Sequence, residues 1–155
     1  MPVLFDSTLL DALHIRAQAN LRRRAHHNLH ASLEDPCQRL LVAIEPDSCV
    51  PPHRHLDPAK SEVLIVLRGR LACFTFDAHG HCTCCPVLAV GGGLDVAPGE
   101  WHAVLALDPG TLFFEAKAGP YRPLVDAERA AWAPGEQAAG AAQYREWLRG
   151  LCANP

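Results

Sequence analysis

The run V-P-P-H-R-H-L-D-P-A-K-S-E-V-L-I-V-L-R-G, residues 50–69, places two histidines one residue apart, then a proline-bearing gap, a lone glutamate and an apolar run closing near a glycine. In an extended chain, residues two apart face the same side. His53 and His55 therefore point one way and Arg54 the other, which suits two imidazoles sharing one cation. The pair alone carries little weight, because nine histidines in 155 residues yield roughly half of one His-x-His by composition. A second pair, His79-Gly80-His81, sits in the turn-like D-A-H-G-H, where it decorates a hairpin tip. The surroundings of the first pair add more. Glu62 opens V-L-I-V-L, apolar on both faces as expected of a strand in a barrel wall. A carboxylate there needs a partner, since an unpaired buried charge is costly, and a cation held by the two histidines would supply it. Further on, P-G-E-W-H leads into a strand with His102, Val104 and Ala106 on one face and Trp101 on the other. A third imidazole from a separate strand gives three nitrogens and one carboxylate.

Working outward, short apolar runs alternate with the breakers D-P, R-G, H-G, G-G-G, P-G and D-P-G. Strands are expected near 39–44, 50–55, 62–67, 70–77, 82–88, 94–97, 102–107 and 111–117, a pattern that argues for an all-β sandwich or barrel. No long helical pattern separates them, which disfavours a parallel α/β sheet. Ser7 can cap a helix from about Thr8 to Asn20, with Leu9, Leu10, Leu13 and Ala17 on its apolar side. Near the other end, Tyr144, Trp147, Leu148 and Leu151 form one helical stripe that packs on the sandwich or on a second subunit. Arg22–His30, R-R-R-A-H-H-N-L-H, is strongly basic; such a run is ordinarily a solvated face, though its histidines and asparagine also suit a substrate.

At this length one domain is expected. The net charge of −3 offers no electrostatic footprint for nucleic acid. Residues 40–44 and 63–67 are too short to span a bilayer, and the first residues lack a basic signal-peptide region. A soluble, cytoplasmic chain is expected. Seven cysteines, at 37, 49, 73, 82, 84, 85 and 152, do not resemble a secreted disulfide framework. The cluster Cys82-Thr83-Cys84-Cys85 lacks the second pair that a zinc site normally has, so plain strand cysteines are expected.

These residues resemble the cupin superfamily. Its first motif, His-x-His, a gap, Glu, six residues and Gly, is matched by His53, His55, Glu62 and Gly69; its second, Gly, five residues, Pro and Gly-x-x-His, by Gly92, Pro98, Gly99 and His102. Two departures lie in connections: six residues separate His55 from Glu62, and Pro98 adjoins Gly99. The long gap, together with R-R-R-A-H-H-N-L-H, D-P-C-Q-R-L-L, P-G-E-W-H, E-A-K-A-G-P-Y and A-W-A-P-G-E, is similar to the WbuC-type cupin metalloproteins, a group associated with bacterial surface-polysaccharide gene clusters. The resemblance implies a mainly β cupin, a double-stranded β-helix or jelly-roll barrel over 31–120. A helix and basic segment at 1–30 would pack on the barrel, and 121–155 would form a helical extension. It also implies a homodimer.

By this resemblance His53, His55, Glu62 and His102 hold one divalent transition metal, of which Fe, Mn, Ni, Zn and Co all suit such ligands. Lys60, Asn28, His30 and Glu115 are candidates for substrate or supporting contacts. The expected partner is a small polar molecule inside the barrel, such as a sugar or sugar derivative, turned over by a metal-dependent isomerase or an oxygenase-type reaction. Two alternatives stand beside this: a non-catalytic module that holds a metal or metabolite, and a metal-free, epimerase-like cupin using a histidine–carboxylate acid/base pair.

Overall fold

The structure, a computed structural model, describes residues 4–48 and 50–153; Cys49, read above among the reduced cysteines, lies outside them. The chain runs through α1 (Ser7–Ala19), β1 (Arg24–Asn28), β2 (Cys37–Ile44), β3 (Glu62–Arg68), β4 (Leu71–Phe76), β5 (Cys82–Cys84), β6 (Val87–Leu88), β7 (Gly93–Val96), β8 (Trp101–Ala106), β9 (Thr111–Ala118), one 3-10 turn (Asp126–Glu128) and α2 (Ala141–Ala153). Two antiparallel sheets result. One has the order β1-β2-β9-β3-β7; in the other β4 pairs with β5, β6 and β8. The mainly β fold with a helix at each end is as the sequence implies.

Strict alternation explains why the strands read as continuous apolar runs. Along β2, Val42 and Ile44 face the space between the sheets, with Leu64, Val66, Cys73, Val104 and Phe113. The intervening Leu41 and Ala43 pack outward under Leu13 and Ala17 of α1. On the other sheet, Leu71 and Cys73 point inward, whereas Ala72, Phe74 and Phe76 pack outward with Leu148 of α2. Each sheet thus has a helix on its outer face. Full burial of a leucine such as Leu13 or Leu148 contributes about 2 kcal/mol, which anchors the two helices. Of the C-terminal stripe, Leu148 is buried and Trp147 is exposed, so the stripe packs on the sandwich through its leucine side.

Three expectations need correction. The cap of α1 is Asp6, whose Oδ1 accepts the N–H groups of Thr8 and Leu9, while Ser7 is already helical; a carboxylate also suits the positive end of the helix. Residues 50–55 are not a strand: only His53 makes bridges, because Pro51 and Pro52 have no N–H to offer a ladder. The single strand expected at 82–88 is two, β5 and β6, interrupted before Val87 by Pro86 for the same reason.

Gly69 carries the chain from β3 in one sheet to β4 in the other with φ +71°. A Cβ there would lie 2.5 Å from Thr111 Oγ1 and 3.1 Å from Thr111 Cα. Gly69→Ala is therefore expected to destabilise the fold by at least about 1–2 kcal/mol, the backbone cost alone, read as a lower urea midpoint at unchanged slope. An unshifted midpoint would refute this account of the turn.

Candidate metal centre

The segment that carries the histidine pair is held between two neighbours. His53 and the first residues of β8 exchange backbone hydrogen bonds: His53 N–H donates to the His102 carbonyl at 3.0 Å, and His102 N–H returns to the His53 carbonyl at 2.9 Å. Gly99, from the second motif, donates its N–H to the His55 carbonyl at 2.7 Å. On the other side, Arg54 N–H donates to the Glu128 carbonyl, Ala130 N–H to the Pro52 carbonyl, and Leu56 N–H to Glu128 Oε1. Arg54 faces away from the histidines as alternation requires and stacks 4.4 Å over the Trp101 ring. The six-residue connection that follows is a surface turn, closed by Lys60 N–H donating to the Asp57 carbonyl.

This clamp brings three imidazoles together. Ring centroids of His53 and His102 are 4.4 Å apart, of His53 and His55 5.5 Å, and of His55 and His102 5.9 Å. One ligand nitrogen from each lies within 4.8 Å of the others, a set that can hold a metal ion. The surroundings fix which nitrogens face inward. His53 Nδ1 is 3.1 Å from the Pro51 carbonyl and His102 Nδ1 is 2.9 Å from the Glu100 carbonyl. A carbonyl can only accept, so Nδ1 carries the proton and Nε2 keeps its lone pair. His102 Nε2 is buried with no protein hydrogen-bond partner. Metal-ligating histidines are oriented in this way by a second hydrogen bond, and an orphaned buried nitrogen is otherwise costly. The residues present fit a divalent ion.

Glu62, at the start of β3, is buried beside the triad. Its Oε2 lies 3.1 Å from His55 Nε2 and 3.4 Å from Lys117 Nζ. Lys117 sits directly across the ladder from Glu62 on β9 and also pairs with Glu115 Oε1 at 2.6 Å. The partners of the buried carboxylate are thus a histidine and a lysine of the chain itself. Burial alone would raise the Glu62 carboxyl, but the His55 hydrogen bond and the Lys117 charge outweigh it and hold the group below its usual range. Burial and the neighbouring Glu62 charge push Glu115 up. Lys117 is held above its usual range because the two carboxylates overcome its own burial. His53 is depressed to about 3, first by burial and then by the adjacent His102. His102 is depressed by its burial against the opposing pull of Glu62.

Two cavities, of about 450 and 460 Å³, meet at His53. The first lies between the sheets and is lined by Glu62, His102 and Glu115; the second opens past His55 and Lys60. Lys60 Nζ donates to the Pro120 carbonyl at 3.3 Å. The other two candidates line neither cavity: Asn28 is exposed at the end of β1, and His30 is buried with Nδ1 accepting the Arg39 N–H. Residues missed from the sequence are Lys117, Tyr121 and Arg129, with Arg22, Arg24 and His26 from the basic run. Lys117 was within reach, since it shares a strand face with Glu115. Among the described cysteines none is in a disulfide or a candidate metal group, and burial pushes the Cys73 thiol up to about 12. His79 and His81 stand apart at the expected turn, His81 paired with Asp77.

Residues 5–87 match the family described as a domain of unknown function, DUF6016. The chain belongs to this family. The matched region includes His53, His55 and Glu62 and ends before His102. No curated protein matches the DUF6016 chain. Among solved structures it is similar to a double-stranded β-helix protein of Klebsiella pneumoniae (TM-score 0.56, 13% identity, covering 76% of this chain and 90% of that one). It is also similar to an oxalate oxidase (0.53, 16%, 66% and 54%) and to the Cnp3 cupin domain of Schizosaccharomyces pombe (0.51, 12%, 64% and 63%). The chain therefore spans only about half of the oxalate oxidase. At these identities the likeness establishes the cupin fold. No described helix is long and apolar enough to cross a membrane.

Two predictions follow from the buried charges. Replacing Lys117 with methionine leaves Glu62 and Glu115 facing each other without a cation and is expected to cost about 3–5 kcal/mol; adding Glu115→Gln should restore part of that loss in urea unfolding. In chelator-treated protein His53 is one contributor to the pH response, beside Glu62 and His102. Its folded pKa of about 3 lies below its ordinary 6.5, so the unfolded chain binds the extra proton between those values. The His53 contribution to stability is complete above about 6.5 and is lost as pH falls toward 3. Unfolding midpoints measured across this range should fall with acid, and less steeply in His53→Ala.

Proposed function

We propose that this DUF6016 chain is a divalent-metal-binding cupin of the WbuC type, with His53, His55, Glu62 and His102 as ligands, acting on a small polar molecule such as a sugar or sugar derivative. The observation that carries this reading is the common aim of three imidazoles whose outer nitrogens, in His53 and His102, are tied to backbone carbonyls. Neutral imidazole and ionised carboxylate are the ligating forms, and the environment favours both: burial depresses His53 and His102, and His55 with Lys117 keeps Glu62 ionised. A divalent ion bound here supplies Lewis-acid polarisation for an isomerase or redox capacity for an oxygenase. The chain's own residues do the rest. Lys117 stores a proton at Nζ between two carboxylates, Glu115 is biased toward its protonated form, and Leu64, Val104 and Phe113 give the inner cavity an apolar floor that limits water.

A surface-polysaccharide role, a cytoplasmic location and a homodimer belong to this reading through the WbuC resemblance. One observation favours a metal-free, epimerase-like alternative: His55 Nε2 and Glu62 Oε2, 3.1 Å apart, form a ready acid/base pair.

Metal analysis decides between them. The purified protein is expected to carry about one equivalent of divalent metal, and a His53→Ala/His55→Ala variant essentially none; equal contents would overturn the proposal. Sugar derivatives should be consumed by the metal-loaded protein and not after chelation, whereas chelator-resistant turnover would favour the dyad.

A further inference from the structure

We propose that Arg22 and Arg24 form a carboxylate-binding subsite beside the histidine cluster, occupied in this structure by the chain's own Glu136. Arg22 Nε donates to both Glu136 oxygens, at 3.0 and 3.1 Å, and Arg24 donates through a terminal nitrogen to Oε1. Two guanidinium groups on one planar carboxylate make an oxyanion grip of the strong, charge-assisted kind. The grip is built into the fold. Arg24 extends from β1 with its side chain only 15% exposed and also donates to Ser48 Oγ at 3.2 Å. Ser48 is itself buried and donates to the Arg22 carbonyl at 2.7 Å.

Three further observations make this a ligand site as well as a clamp. Both arginines line both cavities, and so does His53; a molecule anchored by its carboxylate at the arginines lies in continuous space with the imidazoles. The two cavities together present seven lysine and arginine side chains against three carboxylates, although the whole chain carries −3. That local excess of positive charge concentrates anions. Finally, Glu136 belongs to an irregular segment between the 3-10 turn and α2, and Pro134 and Gly135 beside it line the second cavity. It can leave without breaking a strand or helix. The Arg22 side chain is 55% exposed, and a pair so open to solvent adds little stability; the Arg24–Glu136 pair is mostly buried, at 15% and 23%, so an incoming ligand must bring a negative charge to replace the one Glu136 withdraws. The arginines hold the Glu136 carboxyl below its usual range against its burial, as they would the carboxyl of a ligand.

The inference rests on the proposed function only in placing the rest of the molecule beside His53; the anion grip itself needs no metal. A small molecule bearing a carboxylate fits what Glu136 presents, and a phosphate ester shares the same oxyanion chemistry. Calorimetric titration of the full chain with D-glucuronate, inorganic phosphate and D-glucose tests it. Glucuronate is expected to bind and glucose not. Glu136→Gln, which takes the competing carboxylate charge out of the grip, should tighten glucuronate at least about fivefold, and Arg22→Gln, at an exposed position tolerant of change, should weaken it by a similar factor. Tightening of phosphate alone would support the subsite and assign it to phosphate esters. Unchanged affinities in Glu136→Gln, equal binding of glucose, or no binding of any probe would overturn it, as would a Glu136→Gln variant that only melts earlier. Glucuronate binding that persists in His53→Ala/His55→Ala keeps the subsite even if the metal reading fails. Full metal content without anion binding sinks the subsite alone.

Discussion

The reciprocal pair of backbone hydrogen bonds between His53 and His102 is the interaction on which the rest of the site depends. It is only one rung, made by a residue outside every named strand, yet it fixes two imidazoles in register. The alternation that starts from it then settles the remaining positions. His55 falls on the same side two residues on, while Arg54 and Trp101 fall together on the other side and stack. A ladder could not have continued through Pro51 and Pro52, so the segment is held by neighbours on both flanks: β8 with Gly99 on one, Glu128 and Ala130 on the other. A rigid β framework positions the chemistry, and an irregular stretch delivers it.

Electrostatics sets the second condition. Two carboxylates, Glu62 and Glu115, point into the cavity from adjacent strands, and the structure tolerates them because Lys117 lies between. The lysine neutralises one charge outright and leaves Glu62 ionised beside the histidines. Burial acts on the imidazoles in the opposite sense, holding His53 and His102 neutral. Ionised acid next to neutral base is the state a cation requires.

Much of this was legible in the sequence. The period-two pattern around His53, the apolar run after Glu62 and the His102 strand were enough to place one triad and one carboxylate near a common point, and the breakers were enough to name a two-sheet β fold. What escaped depends on partners distant in sequence. Glu62 reads as a carboxylate awaiting a cation, and nothing local says that Lys117, fifty-five residues on, stands across the ladder from it. The basic run at 22–24 reads as solvated until Glu136 is brought against it over more than a hundred residues. The strand expected at 50–55 failed because apolar and histidine periodicity outweighed two prolines that deserved priority. Asn28 and His30 line neither cavity because both lie at or past the end of β1, where the sheet face stops.

The surface turn between His55 and Glu62 has one more implication. The chain is fastened just before it, where Gly99 and Glu128 hold His55 and Leu56, and again just after it, where β3 enters the sheet. The hydrogen bonds of the turn run from Ala59 and Lys60 to Asp57 and from Lys60 Nζ to the Pro120 carbonyl, not to the histidines, so replacements there are expected to alter the second cavity, which Lys60 lines, more than the histidine cluster. The length and composition of that turn can therefore vary with less effect on the histidine cluster than changes in the two fastened flanks.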